Sequence, residues 1–352
     1  MRHFYLDFIF TAIALAIAAW WGYSHGGMGG LIATLSITAI LAVMEISLSF
    51  DNAVVNASVL KGWDEFWKKI FLTVGILIAV FGMRLVFPIV IVAVTAELAM
   101  VEVIKLALYQ PEEYSARLMA HHAEISAFGG IFLLLVFLNF IFDEKEVHWF
   151  NWLESRLAKL GKVDAMSVFV ALIVLMIAVS FADPEQSTAV LIAGVWGILV
   201  YLGVQVVSGM LEGDLEEELD AQGNSTGAAT SAIMKGGIIG FLYLEVLDAS
   251  FSFDGVIGAF AITNDVIVIM LGLAIGAMFV RSMTIFLVDK GTLDEFVYLE
   301  HGAHYAIGAL AIIMLLSVKF HVPELITGLI GITFIGWAFV ASLNYRKRQA
   351  LE

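Results

Sequence analysis

The chain has no cysteine, four prolines and few charged residues in a length of 352 residues. The absence of cysteine excludes disulfide bonds and thiolate metal sites. Charged residues make up 14% of the chain, whereas soluble domains average about 25%, so a soluble globular protein is not predicted. Lysine and arginine number 18 against 33 Asp and Glu, and no basic stretch suited to nucleic acid is visible.

Apolar residues dominate what remains, at 61% of the chain, with a mean hydropathy of +0.94. A helix that crosses a bilayer needs about 20 mostly apolar residues. We therefore predict an all-α polytopic membrane protein in a lipid bilayer. The first apolar run lacks a small-residue cleavage signature and is predicted to be a retained helix. Ten segments qualify as spans: 4–24, 31–60, 66–94, 121–142, 165–183, 187–211, 232–260, 265–289, 301–319 and 323–345.

Three other segments are predicted to lie at the membrane surface. Segment 95–117 reads as an interfacial helix broken near Pro111. Segment 143–164 contains two tryptophans, which favour the headgroup level, and reads as a second surface helix. Loop 212–230 is acidic, with six carboxylates between Glu212 and Asp220, and could attract cations or a basic partner.

The distribution of basic residues predicts the orientation. With ten spans, both termini lie on one side, and that side collects thirteen of the Lys and Arg residues against three opposite. Arg84 and Arg281 lie inside spans. By the positive-inside rule, both termini are predicted to be cytoplasmic, in the cell (inner) membrane.

A polar motif inside the second span returns about two hundred residues later. Ser49-Phe50-Asp51 aligns with Ser252-Phe253-Asp254, and six positions before each Asp the chain has Glu45 or Asp248. The second copy has Gly255 where the first has Asn52, and it also carries Glu245. Ionisable groups at membrane depth are costly and usually functional.

The match between the two halves extends beyond the motif. Spans 2–4 resemble spans 7–9 in two further spacings, Gly75 to Arg84 with Gly272 to Arg281, and His122 to Gly129 with His301 to Gly308. An offset of five spans gives the two copies opposite orientations, which is the inverted-repeat architecture of many secondary transporters. Duplication of a five-span unit would extend the repeats to spans 1–5 and 6–10, or residues 1–183 and 184–352, although the outer spans show no convincing match.

The motif residues predict a cation site near the midplane. At about 100° per residue, both motif helices are polar on two sides. Each helix therefore either runs through the bundle centre or unwinds near the Asp, where Gly255 and Gly258 would tolerate a break. Carboxylate, amide and hydroxyl oxygens suit Mn²⁺, Ca²⁺ and Mg²⁺. Converging carboxylates repel unless a cation or protons intervene, which favours metal–proton exchange. The alternative is that the carboxylates only form ion pairs with Arg84 and Arg281.

A second titratable cluster lies at the start of spans four and nine. Interfacial hydrogen bonding is one interpretation, and gating or proton transfer is the other, because histidine titrates near neutral pH. Glu300 and His304, four residues apart on a helix, are within reach of one ligand. The cluster comprises His121, His122, Glu124, Glu300, His301 and His304.

The two motif copies, together with Leu299-Glu300-His301-Gly302-Ala303-His304-Tyr305, resemble the TerC family of integral membrane proteins, in a long subgroup. The resemblance covers about 30–345. It implies export of manganese, or of calcium, within a superfamily of inverted-repeat exporters, and links the chain to tellurite resistance. It also implies metal-carrying roles for Asp51, Asn52, Asp254, Glu45 and Asp248.

The predicted function is therefore transport, not catalysis: export of Mn²⁺ or Ca²⁺, coupled to protons, with no organic cofactor. Asp51 and Asp254 are the expected direct ligands, Asn52, Ser49 and Ser252 neutral ligands, and Glu45, Asp248 and Glu245 ligands or proton carriers. Arg84 and Arg281 are expected to compensate charge. A membrane scaffold in a stress-resistance complex, with soluble partners at the cytoplasmic face, is the main alternative. Amino-acid export and an intramembrane aspartyl protease are further ones, but the Gly-x-Gly-Asp pattern of such proteases is missing around Asp254.

Overall fold

The computed structural model describes residues 4–95, 98–145, 147–161, 165–216, 237–291, 296–320 and 322–349. These residues form α-helices and two π-helical segments, with no β-strand among them. The α-helices are α1 (Tyr5–Leu48), α2 (Phe50–Leu60), α3 (Glu65–Ile70), α4 (Phe87–Thr95), α5 (Met100–Tyr109), α6 (Pro111–Ala120), α7 (His122–Phe142), α8 (Asn151–Leu160), α9 (Met166–Phe181), α10 (Ser187–Glu216), α11 (Ile238–Ile262), α12 (Val266–Asp289), α13 (Leu299–Ser317) and α14 (Glu324–Gln349).

Helix α1 folds back on itself to form a hairpin. Its backbone is non-helical at Gly26 and Gly27, and Gly27 has φ +57°, a conformation that favours glycine. Beyond this turn, the hydroxyl of Thr34 donates to the carbonyl of Ala18 at 3.0 Å. Two residues sixteen apart could not meet in this way along a straight helix, which rises about 1.5 Å per residue. The two limbs of α1 therefore run antiparallel.

The segment between α3 and α4 is wider than an α-helix. It contains π-helical turns at Phe71–Gly75 and Ile78–Val86. The second π segment carries Arg84, whose guanidinium bonds the carbonyl of Ala79, five residues earlier. π-Helical turns are frequent at functional sites.

Helix α7 is central to the largest apolar cluster. It packs against α9, α10, α11 and α13, and most of its residues are buried. Helix α12 is the second deeply buried helix and packs against both limbs of α1, α2 and the second π segment. Near the beginning of α12, Trp21 donates to Asp265 at 2.8 Å, and farther along it Ser282 donates to Asp7 at 2.9 Å. These contacts hold the first limb of α1 antiparallel to α12.

In the described part of the chain, seven helical stretches are long and apolar enough to cross a membrane, which indicates a multi-pass membrane protein. The first predicted span and most of the second fall in one such stretch, α1, and the second span continues into α2. Helix α9 has 16 residues, and α11 carries three carboxylates in its interior, so neither is among the seven. The stretches are Tyr5–Ser47, Glu65–Ala93, His122–Phe142, Ser187–Val206, Val266–Asp289, Leu299–Ser317 and Ile326–Lys347.

Three local predictions have clear outcomes. Pro111 is the first residue of α6 and separates it from α5, as predicted. Of the two alternatives for the motif helices, unwinding near the Asp is not found in the second motif, because α11 continues through Gly255 to Ile262, whereas the first motif is interrupted between α1 and α2 at Ser49. The predicted surface helix 143–164 is shorter, with α8 covering Asn151–Leu160. Of the acidic loop 212–230, residues 217–230 lie outside the described residues.

Candidate functional site

The first motif begins with a residue that forms a buried ion pair. Glu45, in the last turn of α1, pairs with Arg84 of the second π segment, and both side chains are buried. The same carboxylate oxygen of Glu45 accepts a hydrogen bond from the hydroxyl of Ser49 at 3.1 Å. The Arg84 guanidinium also donates to the carbonyl of Ala79 at 2.5 Å. Among the side chains that the structure describes, Glu45 is the only carboxylate paired with Arg84.

The second motif contributes two carboxylates to one arginine. Glu245 and Asp248 lie one turn apart on α11, and both contact Arg281 of α12. The Glu245 oxygen is 3.3 Å from the guanidinium, and Asp248 is closer. Arg281 is 2% exposed, so this pairing is shielded from solvent.

Residues of the first half complete this second cluster. Asn56 of α2 donates its amide N–H to Asp248 at 2.7 Å. The guanidinium carbon of Arg281 lies 3.8 Å from the ring centre of Phe71, in the first π segment. Four residues on, Gly75 leaves room for the cluster, since a Cβ there would lie 2.7 Å from Glu245 and 2.8 Å from Arg281. The two halves of the chain therefore meet at this site.

Four buried polar atoms of the two clusters have no hydrogen-bond partner. Three are oxygens: Oε2 of Glu245 and Oδ1 of Asn56 in the second cluster, and Oγ of Ser252, one turn after Asp248 on α11. The fourth is a donor, Nε of Arg84. Buried polar groups are nearly always hydrogen-bonded, and exceptions call for an explanation such as an ion or a functional role.

The two aspartates expected to be direct ligands follow these residues in the sequence, Asp51 two positions after Ser49 and Asp254 six positions after Asp248. Their backbones belong to α2 and α11, while the side chains of Asp51 and Asp254 lie outside the part of the chain that the structure describes. Asn52 is buried in α2. Among the described residues, no group of three or more His, Asp and Glu side chains is placed to hold a metal ion.

The histidines of the first half form short-range contacts at the start of α7. His121 lies 3.1 Å from Glu124, and His122 lies 3.3 Å from the hydroxyl of Ser126. In the second half, Nδ1 of His304 lies 2.9 Å from the backbone carbonyl of Glu300, and its ring stacks on Phe140. One ring nitrogen of His304 is therefore engaged by the backbone, and a ligand shared by Glu300 and His304 stays a prediction.

His301 and Tyr305 of α13 and Glu154 of α8 form a polar cluster, the clamp on α8. His301 lies 3.1 Å from the carbonyl of Val147 and 3.6 Å from Glu154. Glu154 also accepts hydrogen bonds from the backbone N–H groups of Trp149 and Phe150 and from the hydroxyl of Tyr305. Burial favours the neutral carboxyl of Glu154. The hydrogen bond and charge interaction with His301, together with the hydrogen bonds from Phe150 and Tyr305, outweigh burial and lower the pKa to about 2. Burial also favours the neutral form of the nearby Lys145 amine, and here it lowers the pKa.

Comparison with known proteins assigns the chain to a family. The family model described as "Protein of unknown function (DUF475)" matches residues 50–349. The chain belongs to the DUF475 family. No curated protein matches the chain. No solved structure matches it either.

The DUF475 match corrects the family predicted from the motifs. The resemblance to the TerC family is wrong, because the model that covers the chain from the first motif to α14 is that of DUF475, and nothing in the match names TerC. The motifs that carried the resemblance are short, and a few acidic and small residues at fixed spacing within apolar helices can recur in unrelated membrane proteins. The link to tellurite resistance is lost with it.

Three residues of this DUF475 protein contribute to buried polar networks that sequence reasoning left out of the site. Asn56, which follows the first motif, bonds Asp248 of the second motif. Glu154 was included in a surface helix, but it is 1% exposed. Asp7, also 1% exposed, bonds Ser282 and leaves its second oxygen without a partner. A lone carboxylate within an apolar run was the only available signal for Asp7.

Proposed function

We propose that this DUF475 protein is a membrane transporter that exports a hard divalent cation in exchange for protons. The observation that carries the proposal is the imbalance of the second cluster, where Glu245 and Asp248 share the single guanidinium of Arg281. Two buried carboxylates against one cation leave a negative charge that a proton or a metal cation would neutralise. Asp51 and Asp254, one residue from Asn52 and Gly255, would add to this negative charge.

The oxygen chemistry of the motifs supports a hard cation. Carboxylate, amide and hydroxyl oxygens are the ligands that Mn²⁺, Ca²⁺ and Mg²⁺ prefer, and the chain has no thiolate to select a softer metal. Asp51, Asp254, Asn52 and the paired carboxylates would hold the cation, and Arg84 and Arg281 would compensate charge after its release. The proton gradient across a cell membrane is directed inward, so exchange for protons would drive export.

Contacts between the two halves support inverted repeats. Gly75 packs against Glu245 of the second motif helix, and its counterpart Gly272 packs against Leu41, one turn before the first motif. Helices α7 and α13 run antiparallel, since Gly129 meets Met314 near one end and Gly308 meets Phe137 near the other. Such reciprocal contacts are expected for two copies related by an axis in the membrane plane.

The helix lengths support ten crossings. The hairpin in α1 supplies two limbs of about 20 residues, which is enough for two spans. Helix α11, with 25 residues, would extend about 37 Å, and its residues Glu245 and Asp248 face Arg281. Helix α9, with 16 residues, would reach only about 24 Å, so the bilayer would thin locally around it. Ten spans keep both termini on the basic, cytoplasmic side.

Binding and flux measurements test this function. Purified protein is titrated with Mn²⁺, Ca²⁺, Mg²⁺ and Zn²⁺ while its melting temperature is followed, because a ligand of the folded state raises apparent stability. The same protein in proteoliposomes is assayed for proton-dependent Mn²⁺ flux. We expect binding and flux in the wild type and in an Asp143→Asn control at an exposed loop, and loss of both in Asp51→Asn and Asp254→Asn. Normal flux in the Asp51→Asn, Asp254→Asn double variant would contradict the proposal, and the absence of any metal response would favour the scaffold alternative.

A further inference from the structure

The second cluster holds more oxygen atoms than Arg281 can satisfy. Its guanidinium binds one oxygen of Glu245 and one of Asp248, and Asn56 donates to the other oxygen of Asp248. This arrangement leaves Oε2 of Glu245 and Oδ1 of Asn56 without a hydrogen-bond donor among the described residues, and the two residues are only 5% and 1% exposed. Two buried, unpartnered oxygens thus belong to this cluster, and a third, unpartnered hydroxyl, that of Ser252, lies one helical turn along α11 from Asp248.

The described side chains of the first cluster show no such surplus of oxygen atoms. One oxygen of Glu45 is shared by Arg84 and Ser49, and the other lies against the backbone of Gly255. Its unpartnered atom is a donor, Nε of Arg84. A donor repels a metal cation, whereas an unpartnered oxygen attracts one. The two halves of the site are therefore chemically different, although their motifs align.

Arg281 also contacts Phe71, in the same conformation in which it pairs with the two carboxylates. Its guanidinium carbon lies 3.8 Å from the ring centre of Phe71, and Nη1 is 3.5 Å from the Phe71 carbonyl. An aromatic face stabilises a guanidinium without a carboxylate. The side chain can therefore release Glu245 and Asp248 and retain favourable contacts on the π-helical segment.

We infer that Asn56, Glu245, Asp248 and Ser252 form one oxygen site, occupied alternately by the guanidinium of Arg281 and by a divalent metal cation. The inference rests on the proposed transport function and deepens it, because it adds Asn56 as a ligand and makes Arg281 the internal competitor of the cargo. A dication is attracted to two carboxylates more strongly than a guanidinium is. When the dication leaves, Arg281 returns and prevents two bare carboxylates from facing each other.

The test measures equilibrium Mn²⁺ binding to the purified full chain by electron paramagnetic resonance of the free ion. The variants are Asn56→Leu, which removes the amide oxygen at similar volume, and Asn56→Asp, which adds a carboxylate. Asn139→Leu is the matched control, because Asn139 bonds Ser167 and Tyr201 in a separate network. We expect at least tenfold weaker Mn²⁺ binding in Asn56→Leu, tighter binding in Asn56→Asp, and wild-type binding in the control.

Variants of Arg281, measured in the same binding experiment, test whether its guanidinium competes with the metal cation. Arg281→Gln removes the competitor and is expected to tighten Mn²⁺ binding at least tenfold. Arg281→Lys, which keeps the charge but loses the planar contact with Phe71, serves if the glutamine variant does not fold, and it is expected to tighten binding less. Unchanged or weaker Mn²⁺ binding in the folded Arg281 variants would overturn the competition.

The outcomes separate the inference from the transport proposal. If Asn56→Leu binds Mn²⁺ within twofold of the wild type, or if Asn56→Asp binds no more tightly, while Asp51→Asn and Asp254→Asn bind poorly, only the inference fails. If the wild type itself binds no divalent cation, both fail.

Discussion

The carboxylate of Glu45 lies against the backbone of Gly255, the residue of the second motif that aligns with Asn52 of the first. A Cβ built at Gly255 would lie 2.8 Å from Oε2 of Glu45. The difference between the two motif copies therefore has a steric reason: a side chain at position 255 would collide with the carboxylate of Glu45. The same contact joins the two halves of the chain at the ion pair with Arg84.

A side chain at Gly255 should disturb this ion pair. We expect Gly255→Ala to lower the melting temperature of the purified protein, with a cost of about 1–3 kcal/mol from overpacking. Gly203→Ala is the control, since Gly203 also lies within a helix but has no atom within 4 Å of an added Cβ. That change should be neutral or slightly stabilising, because glycine is unfavourable inside a helix. Equal melting temperatures for the two variants would show that Glu45 has room to move.

The sequence predicted the participants of this core better than their pairing. Spacing alone selected Glu45, Asp248, Arg84 and Arg281, because carboxylates and arginines inside apolar runs are rare and stand out. It did not identify Asn56 as the partner of Asp248, since that bond joins residues 192 positions apart and depends on how two helices meet.

Glu154 illustrates a different limit. A short helix with several charged residues looks solvated, and nothing in its periodicity reveals that one carboxylate turns inward to meet His301 and Tyr305. The wrong family assignment has a related origin, because short motifs describe a site and not a whole chain. Helix positions were easier to predict, since each predicted span overlaps helical backbone in the part of the chain that the structure describes.

Removal of Arg84 should destabilise the protein more than removal of the whole ion pair. Arg84→Gln leaves the buried carboxylate of Glu45 uncompensated, and we expect a loss of about 3–5 kcal/mol. Adding Glu45→Gln should restore part of that loss, because the double variant buries no charge here. Melting temperatures of the two single variants and the double variant measure the coupling. A double variant that melts below Arg84→Gln would mean that Glu45 is stabilised by contacts other than the arginine.

The clamp on α8 should make stability depend on acid. The pKa of Glu154 falls from its usual 4.5 to about 2 in the folded protein, so its ionised form stabilises the fold. This contribution is fully present above pH 4.5 and is lost as the pH falls through about 2. Glu154→Gln should therefore lower the melting temperature at pH 6, and its difference from the wild type should shrink between pH 4.5 and 3.

The control for this acid dependence is Glu65→Gln. Glu65 pairs with Lys68 at the surface, with its side chain 82% exposed, and exposed pairs contribute little to stability. Its melting curve should follow the wild type at every pH. A Glu154→Gln difference that stayed constant on acidification would assign the loss to the uncharged hydrogen bonds with Tyr305 and the backbone.

The crossing of α9 decides whether the repeats are inverted. The chain has no cysteine, so a single introduced cysteine is the only thiol available to a membrane-impermeant maleimide. We expect Ser24→Cys, near the turn of α1, and Glu185→Cys, after α9, to react from outside intact cells. Glu65→Cys and Asp143→Cys should react only after permeabilisation. If Glu185→Cys and Asp143→Cys reacted from the same side, α9 would not cross, the offset between the motif helices would fall from five spans to four, and the two copies would then have the same orientation.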